Sequence, residues 1–111
     1  MKTRLILSAA GLVAALAFAP QASAADAAAA EALAKKEGCL KCHAVDKKVV
    51  GPAYQDVAKK YAGQKDAEVA LAKSIKAGGS GKYGPIPMPA QTALSDADAA
   101  TLAKWVLAGA K

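Results

Sequence analysis

The sequence predicts an all-α domain preceded by a leader, and three observations support that prediction. No run of alternating β-branched residues is present to indicate strands. Apolar residues instead recur at helical spacing in several segments that are bounded by glycine or by capping residues. Alanine dominates the composition, so the core of so small a domain looks underfilled, and a large apolar cofactor would correct that.

The first 24 residues have the pattern of a secretory signal peptide. Lys2 and Arg4 precede an apolar run of 15 residues, 5–19, and residues 22–24 are Ala-Ser-Ala. This order predicts cleavage between Ala24 and Ala25, which leaves residues 25–111 as one domain. The alternative is an uncleaved membrane anchor, but a spanning helix needs about 20 apolar residues. We therefore expect export without stable membrane insertion.

The first two helices of the domain are predicted from capping and glycine signals. Asp26 is expected to cap a helix over residues 27–37, which Gly38 ends. By helical spacing, one face of this helix would carry Ala30, Leu33, Ala34 and Glu37. A short second helix is expected over residues 54–62, with Gly63 after it.

The third and fourth helices flank a long loop. Asp66 is expected to start the third helix, which the pair Gly78-Gly79 closes. Ser95 and Asp98 have the spacing of a capping box at the start of the fourth, and Gly109 marks its end. Between them, residues 78–89 contain four glycines and three prolines, which cannot continue a helix. Loops of this length usually carry function.

The charge of the domain does not indicate nucleic-acid binding. Without Lys2 and Arg4 the chain has 13 lysines against 9 acidic residues, a net charge of +4. These lysines are scattered among the acidic residues, no arginine remains, and no motif interleaves aromatic and basic residues. The charge is interpreted as a source of solubility and of steering toward acidic partner surfaces.

Residues 39–43, Cys-Leu-Lys-Cys-His, indicate the chemistry. A C-x-x-C-H sequence is typical of c-type haem attachment. Two thiols three residues apart lie on one side of a helical turn, where each can add to a haem vinyl group. His43 then falls under the iron as its proximal ligand. We expect one haem c, covalently attached through Cys39 and Cys42, in agreement with export.

Other interpretations of the cysteines are weaker. An exported pair could form a disulfide or a thioredoxin-like redox couple. That interpretation lacks a βαβ pattern and leaves His43 unexplained. A structural zinc site needs four protein ligands, whereas residues 25–111 contain two cysteines and one histidine.

Met88 is the expected sixth ligand of the iron. There is no second histidine, and Met1 is expected to leave with the leader, so Met88 is the one remaining thioether. It lies 45 residues after His43, between Pro87 and Pro89, which restrict its backbone. The alternatives are a gap-filling core methionine, a lysine ligand or an open coordination position.

Three segments carry a resemblance to a known family. Residues 50–54 (Val-Gly-Pro-Ala-Tyr), 84–89 (Gly-Pro-Ile-Pro-Met-Pro) and 102–107 (Leu-Ala-Lys-Trp-Val-Leu) resemble cytochrome c-551, also called cytochrome c8. The likeness runs from about Glu31 to Leu107. It implies the class I cytochrome c fold, with about four short helices wrapped around one covalent haem.

The resemblance also implies roles for further residues. The carbonyl of Pro52 would accept a hydrogen bond from the ring N–H of His43 and raise the basicity of the imidazole. Trp105 would pack the core beside the haem, near the crossing of the first and last helices. Tyr83 replaces a tryptophan of the family, and its hydroxyl is expected to donate to a haem propionate.

Other positions depart from the family pattern. Ala34 stands in place of an aromatic residue at the helix crossing, and Ser74 in place of a basic residue that meets the propionates. Gln91 replaces an asparagine that bonds the ligating sulfur. These departures bear on the reduction potential and its pH dependence and leave ligation intact.

An iron with two protein ligands has no open position for substrate, which favours electron transfer over catalysis. We therefore predict a soluble, periplasmic, monomeric electron carrier and no enzymatic activity. The resemblance implies a donor such as the cytochrome bc1 complex, and a nitrite reductase or a terminal oxidase as acceptor. Small apolar residues would ring the exposed haem edge, with lysines orienting the encounter. These residues are Val49, Val50, Ala53 and Ile86, and Lys41, Lys47 and Lys48.

Two competing hypotheses stay open at this point. One is a small peroxidase or gas-binding haem protein in which the Met88 bond breaks in use. The other is a dithiol protein without haem.

Overall fold

The computed structural model describes Gly11 and residues 24–111, and the rest of the predicted leader, residues 1–10 and 12–23, lies outside them. The described region forms four helices: α1 (Ala24–Lys36), α2 (Tyr54–Tyr61), α3 (Ala67–Ala77) and α4 (Asp96–Leu107). A 3-10 turn, Cys39–Lys41, follows α1. Two isolated bridges, His43–Lys48 and Gly79–Met88, are the extent of β pairing in the described region. The all-α prediction is confirmed.

The start of α1 differs from the prediction, because Asp26 lies inside the first turn and is not the cap. Ala24 and Ala25 are strong helix formers and extend the helix past Asp26, whose carboxylate still favours the positive end of the helix dipole. The helix ends at Lys36. Gly38 then takes a left-handed conformation with φ 76°, which a glycine adopts without the penalty of a Cβ.

The boundaries of α2, α3 and α4 agree with the prediction to within about a residue. Asp66 immediately precedes α3, although its side chain makes no capping hydrogen bond. At the start of α4 the hydroxyl of Ser95 accepts a hydrogen bond from the backbone N–H of Asp98 at 3.1 Å. This is the contact that the capping pattern predicts.

Helix α4 is the central element, because α1, α2 and α3 all pack against it. The most completely buried positions of this packing are alanines: Ala30, Ala34, Ala99 and Ala103 are at most 1% exposed. No larger side chain in the described region is less than 2% exposed. The larger core residues therefore surround closely packed alanines and each keep a small exposed fraction. No helix among the described residues is long and apolar enough to cross a membrane.

Candidate haem site

A cavity of about 300 Å³ lies between the 3-10 turn, α2, α3, α4 and the loop 78–89. The helices contribute its apolar wall, which consists of Tyr54, Val57, Tyr61, Leu71, Ile75, Leu102 and Val106. Cavities of this size and character take small organic ligands or cofactors. The part of the core that the composition leaves underfilled is therefore this cavity between the helices.

The two cysteines enter this cavity from the 3-10 turn. The N–H groups of Cys42 and His43 both donate to the carbonyl of Cys39, at 3.2 and 3.0 Å, which winds the segment into one tight turn. Both thiols are partly buried, line the cavity and are not joined in a disulfide. Burial is the main cause that raises the pKa of the Cys39 thiol, so it is protonated at neutral pH.

His43 is oriented by the residues that follow the turn. Its Nδ1 lies 2.8 Å from the carbonyl oxygen of Pro52. Because a carbonyl oxygen can only accept, Nδ1 carries the ring proton and Nε2 keeps a free lone pair for a metal. The imidazole also stacks on Tyr54, with ring centres 5.2 Å apart. The hydrogen bond expected between His43 and Pro52 is present.

Gly51 allows this arrangement of His43. Its N–H donates to the carbonyl of Cys42, and the imidazole packs directly on its backbone. A Cβ at position 51 would lie 2.5 Å from Cε1 and 2.9 Å from Nδ1 of His43. A side chain at position 51 would therefore force the imidazole out of its present position.

Met88 reaches the same cavity from the loop 78–89. This loop closes as a hairpin, because the N–H of Gly79 donates to Met88 O at 3.1 Å and the N–H of Met88 donates to Gly79 O at 2.8 Å. Gly78 has φ 67°, and a Cβ there would lie 2.4 Å from the carbonyl oxygen of Met88. The C-terminal end of α3 and the part of the loop around Met88 thus approach each other backbone to backbone.

One part of the cavity wall is polar. Lys82 donates a hydrogen bond to the hydroxyl of Tyr61, and its ammonium lies 4.3 Å from the centre of that ring. Lys60 lies in the same way 4.7 Å from the ring centre of Tyr83. Burial disfavours ionisation of Tyr61, but hydrogen bonds from Lys82 and Ser74 and the lysine charges outweigh it and lower the pKa of Tyr61.

The hydroxyl of Tyr83 is buried, and it has no hydrogen-bond partner among the described residues. Burial, followed by the charge of Tyr61, raises the pKa of Tyr83 to about 12. Tyr83 is therefore a protonated donor at neutral pH. A buried hydroxyl without an acceptor costs free energy, so this atom indicates a place for an acceptor that the protein chain does not supply.

Six of the seven predicted site residues line one cavity: Cys39, Cys42, His43, Pro52, Tyr83 and Met88. Trp105 does not line it. Its ring contacts the edge of Tyr54, with centres 5.3 Å apart, so Trp105 supports the cavity wall from behind.

Gln91 also lies off the cavity, because its side-chain amide donates to the carbonyl of Pro89. Ala53, expected at the exposed rim, is instead buried at 1% exposure, because it directly precedes α2 beside the core residue Tyr54.

Several lining residues were missed from the sequence. The pairs Leu71–Ile75 and Leu102–Val106 each have a spacing of four residues. Helical periodicity does place Leu102 and Val106 on one face, but the sequence did not indicate that either pair lines the site. The close approaches at Gly51 and Gly78 had no such signal, because they join segments distant in sequence. Lys82 was also missed, since it resembles any other lysine of the chain.

The residues present fit a haem group. Two thiols, an imidazole with a free Nε2 and a thioether meet in one cavity, the helical wall is apolar, and a buried hydroxyl lacks an acceptor. These are the donors that c-type haem takes from a protein. Within the described part of the chain, no group of three or more His, Cys, Asp or Glu side chains is arranged to hold a metal ion by itself.

Comparisons with known proteins show the family of this chain. A family model described as Cytochrome c matches residues 27–110. The chain is 61% identical to cytochrome c-551 of Pseudomonas aeruginosa over 77 residues, which cover 69% of this chain and 73% of that protein. It is 58% identical to cytochrome c-552 of Hydrogenobacter thermophilus over 77 residues, with 69% and 78% covered.

A solved structure is similar as well. The crystal structure of cytochrome c552 from Nitrosomonas europaea superimposes with a TM-score of 0.69 at 53% identity, and the match covers 71% of this chain and 98% of that one. The resemblance inferred from three short segments therefore extends to the backbone.

Proposed function

This chain belongs to the cytochrome c family, is of the cytochrome c-551 type and carries one covalent haem c, and we propose that it is a diffusible periplasmic carrier of single electrons. The observation that supports this role most directly is the meeting of His43 and Met88 in one cavity with both cysteines. Two protein ligands leave the iron no open position, so the site suits electron transfer rather than substrate chemistry.

In this proposal Cys39 and Cys42 form the two thioether bonds. The 3-10 turn presents both sulfurs to the cavity from one short segment, which suits attachment to neighbouring points of one porphyrin edge. His43 then follows directly with Nε2 available, because the Pro52 carbonyl holds the proton on Nδ1. Such a hydrogen bond increases the basicity of a ligating imidazole.

Met88 would be the second axial ligand. Bound haem supplies a one-electron Fe(III)/Fe(II) couple, and a methionine sulfur shifts that couple toward Fe(II). The residues of the chain act in the same direction, since the apolar helical wall disfavours the extra positive charge of the ferric state. The two backbone hydrogen bonds between Met88 and Gly79 would hold the Met88 segment in place in both oxidation states, which would keep structural reorganisation small.

Electrons would enter and leave at an apolar rim that we define by Val49, Val50 and Ile86. These side chains are 49%, 42% and 62% exposed, and Val50 and Ile86 also line the cavity. The exposed residues Lys41, Lys47 and Lys48 belong to the adjoining segment. An apolar rim with flanking charges suits small, short-lived complexes in which charge guides the encounter.

The expected biological setting rests on the leader pattern and on the c-551 type. The leader supports export to the periplasm, where the monomeric carrier would accept electrons from a bc1-type complex. A nitrite reductase or a terminal oxidase would be its oxidant. Positive net charge on the domain favours acidic docking surfaces on these partners.

Absorption spectra of the purified exported protein test the proposal. We expect a red protein with a low-spin spectrum and a sulfur-to-iron charge-transfer band in the oxidised form. That band should vanish in Met88→Ala and persist in Val50→Ala, a control that also changes a cavity-lining residue.

Three outcomes would contradict the proposal. Persistence of the band in Met88→Ala would exclude Met88 as the ligand. Binding of carbon monoxide to the reduced protein without denaturant would favour a peroxidase or a gas-binding protein. A colourless protein with two alkylatable thiols would exclude haem altogether.

A further inference from the structure

Two dipeptides of the same composition contact each other beside the cavity. Lys60-Tyr61 ends α2, and Lys82-Tyr83 lies in the loop 78–89. The Lys60 ammonium lies 4.7 Å from the ring centre of Tyr83, and the Lys82 ammonium lies 4.3 Å from that of Tyr61. Each lysine therefore pairs with the tyrosine of the other dipeptide, and we call this reciprocal set of contacts the clasp.

Hydrogen bonds add to the ring contacts of the clasp. The Lys60 ammonium donates to the carbonyl oxygen of Lys82 at 3.2 Å, and the Lys82 ammonium donates to the hydroxyl of Tyr61. That hydroxyl also accepts a hydrogen bond from Ser74 of α3. Hydrogen bonds from a charged donor are stronger than neutral ones, and a cation over an aromatic face is attracted to the ring. The clasp therefore links the loop to α2 directly and to α3 through Tyr61.

The tip of the loop, residues 80–87, has few other polar attachments. Within the described chain, its one backbone–backbone hydrogen bond runs from the N–H of Gly81 to the carbonyl of Gly84, inside the tip itself. Both glycines have a positive φ, and glycine gains more backbone freedom than any other residue when it is released. The clasp supplies the hydrogen bonds that join this tip to a helix in the described region.

The tip leads directly into Met88. Gly79 and Met88 exchange two backbone hydrogen bonds at the base of the loop, so the tip closes the hairpin from which Met88 reaches the cavity. If the tip leaves α2, the backbone hydrogen bonds that hold Met88 are those two. Lys60 and Lys82 are therefore placed to stabilise the position of Met88 from outside the set of candidate ligands.

We propose that the clasp keeps the loop 78–89 closed and thereby sets how often the Met88 sulfur leaves the iron. This inference rests on the proposed function, because it requires Met88 as the ligand. Lys60 and Lys82 are positioning residues, since they act through the loop and not on the iron. The clasp contacts exist in the closed form, so their loss raises the population of the open form.

Binding of imidazole to the oxidised, haem-loaded protein tests the proposal. Imidazole takes the sixth position in the open form, so its apparent affinity is proportional to the population of that form. The titration is made at a pH where imidazole is neutral, so that the loss of a lysine charge does not itself change binding. The absorption spectrum reports binding through loss of the sulfur-to-iron band.

We expect Lys60→Gln and Lys82→Gln each to raise the apparent affinity for imidazole about tenfold, which corresponds to about 1.4 kcal/mol. Lys82→Arg keeps a charged donor that can lie over the Tyr61 ring, and it should bind imidazole nearly as weakly as the wild type. Amide hydrogen exchange gives a readout that does not involve the iron. The N–H groups of Gly79 and Met88 should exchange about tenfold faster in both glutamine variants, because the open loop loses their hydrogen bonds.

Lys59→Gln is the matched control, since it removes the same charge from an exposed residue of α2 that makes none of the clasp contacts. It should leave the affinity and the exchange rates at their wild-type values. Wild-type affinity for imidazole in both Lys60→Gln and Lys82→Gln would overturn the clasp, and so would an equal increase in Lys59→Gln. A wild-type protein without the sulfur-to-iron band would instead overturn Met88 as the ligand, and with it the proposed function.

Discussion

The imidazole of His43 packs so closely on Gly51 that a Cβ there would stand 2.5 Å from His43 Cε1. The next residue, Pro52, supplies the carbonyl that orients the same ring. Two consecutive residues therefore determine the position and the tautomer of His43, one by its lack of a side chain and the other by its backbone oxygen.

Gly51→Ala should displace His43 and destabilise the protein. Gly51 does not have a positive φ, so an alanine there adds no backbone strain. The whole effect therefore comes from the clash with the imidazole. We expect a loss of about 1–3 kcal/mol in the free energy of unfolding, the usual cost of overpacking. Denaturant unfolding measures the loss, and a high-spin component in the haem spectrum would report the displaced ligand.

The control for Gly51→Ala is Gly79→Ala, because nothing lies within 4 Å of a Cβ at position 79. It should leave both measurements close to those of the wild type. If Gly51→Ala proved as stable as Gly79→Ala, the close contact between His43 and Gly51 would not limit the size of the residue at position 51.

Gly78→Ala should loosen the hairpin that carries Met88. Gly78 has φ 67° and ψ −169°, a backbone conformation essentially confined to glycine. Its Cβ would also lie 2.4 Å from Met88 O, so an alanine adds a backbone clash to this strain. The strain alone costs about 1–3 kcal/mol. We expect a larger loss than this, together with a weaker sulfur-to-iron band and some binding of carbon monoxide to the reduced variant, which the reduced wild type should not bind.

Gly63→Ala separates the two effects of Gly78→Ala. Gly63 has a similar φ of 78°, but nothing lies within 4 Å of its Cβ position. Gly63→Ala should lower the free energy of unfolding through backbone strain alone, without any change in the haem spectrum. Equal behaviour of the two variants would mean that Gly78 matters only for its backbone conformation.

Ile86→Gln should slow electron exchange between two copies of the haem-loaded protein. Ile86 is 62% exposed at the apolar rim, where two copies would meet edge to edge. We expect the self-exchange rate constant, measured by NMR line broadening in mixtures of oxidised and reduced protein, to fall roughly tenfold. That corresponds to about 1.4 kcal/mol of lost apolar burial in the encounter.

Val69→Gln is the comparison for Ile86→Gln, since Val69 is 59% exposed but lies on α3, away from the cavity lining. It should leave the rate constant unchanged. A similar decrease in both variants would show that exchange does not use the rim.

Asp96→Asn should lower stability at neutral pH and have less effect in acid. The hydrogen bond from Lys76, followed by its charge, holds the pKa of Asp96 below the ordinary value of 3.8. A carboxyl with a lowered pKa in the folded state stabilises the protein above its ordinary pKa, and that contribution is lost as the pH falls through the folded-state pKa. The effect should be small, because Asp96 is exposed.

Thermal unfolding measured from pH 7 to pH 2 tests the ion pair between Lys76 and Asp96. Lys76→Gln should reproduce the loss at pH 7, and the double variant should lose no more than the larger single change. A difference between Asp96→Asn and the wild type that stayed constant with pH would argue against the ion pair as its cause.

Much of the candidate site was predictable from local sequence. The order Cys-x-x-Cys-His places three haem-binding atoms within one turn, so only the conformation of five residues is needed to bring them together. Met88 was the expected ligand by composition, as the one thioether outside the predicted leader. Helices α2, α3 and α4 were located by glycines and caps, whose effects also act within a few residues.

What depended on the tertiary structure were the contacts between distant segments. The packing of Gly51 on His43 and of Gly78 on Met88 O, the pairing of Lys82 with Tyr61, and the position of Trp105 behind Tyr54 all follow from how the loops and helices meet. A residue's type indicates which contacts it can make, but not which neighbour the fold brings within reach. For this chain, local order therefore determined which groups are the candidates for haem binding, and long-range packing determined which residues hold them in place.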